Sequence, residues 1–287
     1  MSKRALLLVN PHARKGKETR IEAIECLKGL GFDLLEESAE NPQKLPQIIR
    51  HYHKQIDLVI IGSGDGTVNA AIEGLLETKL PLGILPSGTA NNLARNLNIP
   101  QSLPAACQII AGGKIRLIDL GWVNGNYFFN VAGLGLSTQI NQRVKKTWKR
   151  RWGVLAYAIV ALQVLLQARP LKAEIRCHNQ SIPIKTFQIT VCNGRYYGSG
   201  LIVAEDATID DERLDLYTLQ THHWWELIAL LPAMMRGKAG RGVLTLQGQE
   251  MEIYTSKPYA IDTDGELTTF TPAKFRAIPK ALPVFVP

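Results

Sequence analysis

Residues Asp57 to Thr67 read DLVIIGSGDGT, an apolar run from Leu58 to Ile61 that passes directly into a turn of three glycines, one serine, one aspartate and one threonine. The run has the length of a buried strand. The glycine-rich backbone after it lets main-chain N–H groups come close to an anion, and a helix beginning near Thr67 adds its positive end. That combination points to phosphate. Asp65 is the unusual member, because a carboxylate adds nothing to a plain anion cradle; it implies a metal or a proton acceptor beside the phosphates. The other reading is a tight turn whose aspartate caps the next helix.

On either side of this turn the first 120 residues alternate apolar runs with helical patterns, the sign of βαβ units and a parallel sheet. Strands are predicted at 5–9, 32–36, 58–61, 82–85 and 115–119, and helices at 19–30, 43–53, 67–76, 91–97 and 103–111. The fourth strand ends in ILPSGTANN, another glycine turn feeding a helix. Ligands of open α/β sheets bind at the carboxyl ends of strands, where both glycine turns and Asn10-Pro11 fall. After Gly121 the pattern becomes short alternating segments with turn dipeptides, Asn124-Gly125 among them, which predicts an antiparallel second domain. The expected division is an α/β domain over 1–121, a parallel sheet with flanking helices, and a β-rich, sandwich-like antiparallel domain over 122–287. Helical segments at 137–168 and 223–236 interrupt the second. The terminal LPVFVP fits an edge strand of either domain.

The composition, 46% hydrophobic and 20% charged over 287 residues, excludes disordered and collagen-like classes. Four scattered cysteines without CxxC spacing indicate neither a zinc site nor a disulfide framework, and fit a reducing cytoplasm. The opening MSKRALLLVNP has too short an apolar run for a signal peptide. A net charge of +8 calls for a negatively charged partner. Much of the excess lies in RVKKTWKRRW, 143–152, where cations interleaved with Trp148 and Trp152 suit an anionic membrane surface. Nucleic acid could use the same side chains, and the plainest reading is a solvated helix face. The adjoining VLAYAIVALQVLL has 13 residues, short of the roughly 20 that span a bilayer, and reads as a buried helix.

Neither GxxxxGK[ST] nor GxGxxG occurs around Gly62. Instead Asn10-Pro11, SGDGT at 63–67, PSGTANNLAR at 86–95, Asp119-Leu120-Gly121, Tyr196-Tyr197-Gly198, Asp210-Asp211 and Asp264-Gly265-Glu266 follow one another in an order that resembles the diacylglycerol kinase catalytic family, with its bacterial lipid kinases and sphingosine kinases. The resemblance covers nearly the whole chain. It implies two domains with catalysis in the cleft between them, ATP and Mg²⁺ as cofactors, a lipid alcohol as acceptor at an anionic membrane surface, and no nucleic acid partner. It also implies a cytoplasmic protein associating peripherally with the membrane, and leaves a homodimer open.

By the same resemblance Asn10, Ser38, Gly62, Ser63, Gly64, Asp65, Gly66, Thr67, Val68, Gly88, Thr89 and Asn91 hold the nucleotide. Arg14 and Lys15, which follow Asn10-Pro11, read either as reaching its phosphates or as a solvated basic loop. Asp65 organises metal or water, Glu266 accepts the proton of the lipid hydroxyl, and Asp264 is a carboxylate coupled to it. A metal site of the second domain falls to Asp211 with main-chain carbonyls near Thr208 and Arg213, where Asp210-Asp211 also reads as a plain β-turn. The sequence departs from the family pattern at Ser63, Ala70, Asn92, Glu205 and Glu212. An asparagine at position 92 in place of the usual aspartate would weaken a network involving Arg95 and Asp119. Two rival functions remain: a nucleotide- or lipid-binding relative that has lost catalysis, and a kinase of a soluble substrate such as NAD, whose enzymes carry a similar turn.

Overall fold

The computed structural model describes residues 3–10, 16–143, 163–197, 201–202, 207–219 and 243–287. Its first half runs β1 (Arg4–Val9), α1 (Gly16–Gly29), β2 (Asp33–Ser38), a 3₁₀ turn (Pro42–Lys44), α2 (Leu45–Tyr52), β3 (Leu58–Ser63), α3 (Asp65–Ala70), α4 (Ile72–Thr78), β4 (Leu82–Pro86), α5 (Asn92–Asn96), α6 (Leu103–Gly112) and β5 (Ile115–Val123). Each strand and helix expected here is present, except that the helix expected over 67–76 is two, α3 and α4, parted at Ala71. α4 lies directly on α2, where a Cβ added at Gly74 would fall 2.8 Å from the Pro46 Cα.

β2, β1, β3 and β4 are neighbours in that order and all parallel. The chain thus winds outward in both directions from β1, and the carboxyl ends of β1 and β3 open on the crevice where such sheets bind ligands. All six residues of β3 and five of the six in β1 are buried, as strands covered on both faces require. Leu6, Leu8, Ile60, Leu27, Leu45, Ile49 and Leu75 belong to the resulting core.

The second half contains β6 (Asn126–Phe128), β7 (Val131–Gly135), α7 (Leu136–Arg143), β8 (Leu171–Cys177), β9 (Gln180–Thr186), β10 (Gln188–Cys192), β11 (Tyr196–Tyr197), β12 (Leu201–Ile202), β13 (Leu214–Leu219), β14 (Val243–Gly248), β15 (Glu250–Thr255), β16 (Ala260–Thr263), β17 (Glu266–Phe270) and β18 (Ala273–Phe285). Strands β14, β13, β10, β7, β16 and β17 form one antiparallel sheet. It packs on the antiparallel continuation of the first sheet through a second core that includes Phe128, Ile189, Leu216, Met251, Ile261 and Phe275. The expected sandwich is therefore present. Asn124 and Gly125 have φ of 45° and 93°, the paired positive values that a two-residue hairpin needs between β5 and β6.

The terminal strand does more than edge one domain. β18 pairs with β5 and β15 antiparallel and meets β4 in parallel at Val284 and Leu82. Its Phe275 lies in the sandwich core and its Leu282 and Val284 in the α/β core, so one strand joins the two. Pro11, Arg14, Lys15, residues 144–152 of the basic segment, 154–162 of the apolar stretch, Gly198, Glu205 and the helix expected at 223–236 lie outside the described residues. Among those described, no helix is long and apolar enough to cross a membrane.

A Cβ added at Gly121 would fall 2.1 Å from the ring of Phe128, which is fully buried. Gly121→Ala is expected to destabilise the fold by about 1–3 kcal/mol in urea unfolding. A Phe128→Leu change made with it should cost less than the two single effects summed, because the smaller side chain vacates the space.

Candidate active site

The two glycine turns that close β3 and β4 pack backbone against backbone. A Cβ on Gly88 would lie 2.4 Å from the Gly64 Cα, so position 88 requires glycine, and a Cβ on Gly64 would be tight at 3.2 Å from the Gly88 Cα. The Ser63 and Thr67 hydroxyls hydrogen-bond at 2.7 Å across the first turn. Asn91 closes the second. Its backbone is left-handed, its Oδ1 accepts the Gly88 N–H at 2.9 Å, and its Nδ2 donates to Gly88 O at 3.1 Å and to Gln101 Oε1 at 2.7 Å. Asparagine tolerates that conformation because its amide bonds locally. The Asp65 carboxylate spans the two turns, accepting the N–H groups of Asn92 at 3.0 Å and Leu93 at 3.1 Å. It therefore caps α5 rather than the helix that follows it in sequence.

The turns open on a cleft of about 1360 Å³. Of the residues expected at the nucleotide, Asn10, Ser63, Gly64, Gly66, Thr67, Gly88, Thr89 and Asn91 line it. A Cβ at Gly66 would meet nothing within 4 Å, so the backbone there faces open space, and the first N–H groups of a helix have no partner within it. Other expected residues lie elsewhere. Gly62 is inside β3, between Val9 and Leu85, and Val68 is buried behind the turn. Ser38 lines a separate cavity of about 170 Å³ with Leu7, Val9, Arg20, Glu36 and Glu37, and its Oγ accepts the Glu40 N–H at 3.2 Å. Glu22, Asn41, Gln43 and Gln101 also line the cleft, and sequence reading missed them. They come from α1, the 3₁₀ turn and the residues before α6, with no motif to announce them.

From the antiparallel sheet the cleft receives Glu266. Asp264 and Gly265, with φ of 49° and 92°, form the two-residue turn between β16 and β17, and this turn presents Glu266 as the first residue of β17. The Asp264 carboxylate has a different task. It accepts main-chain N–H groups of Phe129 at 2.8 Å, Asn130 at 3.0 Å and Val131 at 3.1 Å, and the Asn69 amide of α3 at 2.9 Å. Burial pushes its pKa up, the three N–H groups oppose that, and the charge of Asp65 adds to it. Two residues earlier, Asp262 is 1% exposed and bonds Thr138 Oγ1 of α7 at 2.6 Å. Burial pushes its carboxyl up to about 6.

Asparagines also join the halves. Asn96 of α5 donates to Asn130 Oδ1 at 2.7 Å and accepts the Arg195 N–H at 2.9 Å, while Asn193 donates to Phe129 O at 2.8 Å and Asp119 O at 3.1 Å. These too were missed. The available signal was an asparagine at the edge of an apolar run, as in FFNV and TVCNG.

The residues expected at a second metal stand close together. The Asp211 carboxylate accepts the N–H groups of Thr208 at 3.1 Å and Arg213 at 3.4 Å, with the Arg213 Nε at 3.3 Å. The other expected ligands are main-chain carbonyls, whereas the groups on the Asp211 carboxylate here are N–H donors and a guanidinium, so no chemistry is assigned to a metal there. Among the described residues no group of three or more His, Cys, Asp or Glu side chains could hold a metal ion. Mg²⁺ does not need one, since it takes one or two carboxylates together with substrate phosphates. Glu266, a carboxylate in the cleft, fits that role; Asp65, whose two oxygens accept the Asn92 and Leu93 N–H groups, does not line the cleft. Arg95 and Asp119 do not share the expected network: Arg95 Nε donates to Ala90 O at 2.9 Å, and buried Asp119 accepts N–H groups of Glu212 at 2.6 Å and Lys280 at 2.7 Å.

Residues 4–123 match the diacylglycerol kinase catalytic domain, and residues 130–286 match the YegS C-terminal NAD kinase beta sandwich-like domain. A Bacillus subtilis (strain 168) protein named diacylglycerol kinase is 30% identical over 241 residues, which span 82% of this chain and 79% of that protein. A crystal structure described as a diacylglycerol kinase from Bacillus anthracis str. Sterne has a TM-score of 0.83 at 22% identity, covering 99% of this chain and 97% of that one. The second likeness is one of fold. The chain belongs to the diacylglycerol kinase catalytic-domain family, and so to the kinases, which are phosphotransferases.

The raised pKa of Asp262 has a consequence for stability. Between about pH 4 and 6 the folded state holds more of this proton than the unfolded chain, so stability falls as pH rises through that window and levels off above it. The loss is about 3 kcal/mol. Asp262→Asn is expected to be more stable than the parent at pH 8 by about that amount and nearly equal to it below pH 4, as read by urea unfolding at stepped pH.

Proposed function

We propose that this protein transfers the γ-phosphate of ATP to the hydroxyl of a diacylglycerol-like or other long-chain lipid alcohol, working in the cytoplasm and docking peripherally on the membrane. In this reading residues 1–121 hold the nucleotide and residues 122–287 present the acceptor. The observation that carries it is the delivery of Glu266, by a hairpin of the antiparallel sheet, into the same cleft that the two glycine turns line.

Phosphoryl transfer needs phosphates held in place, their charge neutralised and a base at the nucleophile. The backbone at Gly64 and Gly66 approaches the phosphate chain, with Thr67, Thr89 and Asn10 as side-chain donors. Asp65 fixes the α5 end of the cleft through the Asn92 and Leu93 N–H groups. Bound Mg²⁺ would supply the charge neutralisation, with Glu266 as a cleft carboxylate placed to hold it together with the phosphates. Glu266 also accepts the proton of the lipid hydroxyl, and Asp264 sets its position by anchoring the hairpin to residues 129–131 and Asn69.

Incubation with labelled ATP and mixed micelles of diacylglycerol, monoacylglycerol and sphingoid bases should yield a phospholipid with at least one of them, identified by mass spectrometry. ATP binding without any lipid product would overturn the reading in favour of a binding protein, and labelled NADP from NAD would replace it with a soluble-substrate kinase. Glu266→Gln should lower kcat by about 10²-fold or more while ATP affinity changes little. Asp264→Ala should lower both turnover and melting temperature, because it leaves three main-chain N–H groups without their acceptor.

A further inference from the structure

We infer that β17 is the edge by which the protein seats on a lipid bilayer, with Leu267 and Phe270 entering the interface beside the residue that takes the acceptor's proton. The inference rests on the lipid-kinase reading and names the surface that reading leaves open.

Leu267 and Phe270 are 49% and 53% exposed; singly such side chains are ordinary, and it is their sharing one face that carries meaning. In a regular strand, residues three apart point to opposite faces. Here the register with β16 shifts: Asp262 faces Leu267, Ile261 faces Thr269 and Ala260 faces Phe270, leaving Thr268 as the extra residue. Because residues directly opposite share a face, the bulge brings Leu267 and Phe270 onto one face, that of Ala260 and Asp262. Glu266, opposite Thr263, takes the other. The hairpin therefore carries its apolar pair and its cleft carboxylate back to back on adjacent residues.

The occupant follows from chemistry and continuity. From Leu267 to Pro272 the chain has no charge, Lys274 follows two residues on, and the protein as a whole carries +8; the neighbouring acids point elsewhere, Asp262 buried on Thr138, Asp264 on main-chain N–H groups and Glu266 in the cleft. At the Phe270 end, the Lys257 ammonium lies 5.4 Å over the ring of Tyr259, a cation and an amphipathic ring of the kind that sits at headgroup level. A second copy of the chain fits less well. Among the described residues β17 ends its sheet, but a five-residue strand with a bulge is a poor template for another strand. Seated on a bilayer along this edge, the protein places Glu266 at the depth of a lipid's hydroxyl while the acyl chains remain in the membrane.

The test compares the parent with Leu267→Gln/Phe270→Gln and with Leu267→Trp/Phe270→Trp, using vesicles of phosphatidylcholine and phosphatidylglycerol in equal parts. The glutamine pair should lower vesicle partition by about tenfold, and the tryptophan pair should raise it. Turnover of diacylglycerol embedded in those vesicles should fall with the glutamine pair, whereas turnover of a dispersed short-chain diacylglycerol should stay near the parent's. Unchanged partition in both variants overturns the inference. So does a glutamine pair that alters the sedimentation coefficient without altering vesicle binding, which would make the edge a contact between copies. If no lipid is phosphorylated by the parent in either form, the kinase reading fails while partition still decides the docking surface.

Discussion

Everything about the placement of this site depends on how one carboxylate is satisfied. Asp264 sits where a charge loses most of its hydration, and a carboxylate persists there only when donors replace the water. Three consecutive main-chain N–H groups, from Phe129, Asn130 and Val131, and the side-chain amide of Asn69 do so. Those donors come from the approach to β7 and from α3. Meeting the needs of one side chain therefore locks the β16–β17 hairpin against both the antiparallel sheet and the glycine-turn helix. Glu266 reaches the cleft as a consequence. Of two acids in one short motif, one is spent on architecture and the other lines the cleft.

Asp119 performs a similar service lower in the molecule. Its buried carboxylate, with pKa raised by desolvation, receives N–H groups from Glu212 and from Lys280, where the β18 ladder breaks register between Ile278 and Leu282. β18 runs through both cores, and this irregularity is where it passes from one to the other. Acids at these two positions thus hold local distortions that a regular sheet would not provide, which is the usual setting for bulges beside functional sites.

The cleft itself owes its shape to absences. Glycine at 64 and 88 lets two backbones touch, and Gly66 leaves space in front of a helix start. Asp65, which sequence reading placed beside the phosphates, turns out to span the two turns by holding the start of α5. A residue that fixes the spacing of the two turns shapes the cleft without lining it.

The parallel half was legible in the letters because its strands are buried on both faces and its helices are amphipathic, so the pattern is local and periodic. The type of the Asn124-Gly125 and Asp264-Gly265 turns was legible for the same reason: positive φ at both central residues selects a short list of residues. The break between α3 and α4 was not, because no proline or glycine stands at Ala71 to mark it. The partners of Asp65, Asp119 and Asp264 were equally hidden, since each carboxylate is answered by main-chain N–H groups, which every residue but proline possesses and no letter reveals. The sequence by itself determined the two halves, their turns and the chemical groups available to the site. Only the tertiary structure decided which of those groups face the cleft and which hold it open, because desolvation and hydrogen-bond geometry exist only once distant segments have been packed together.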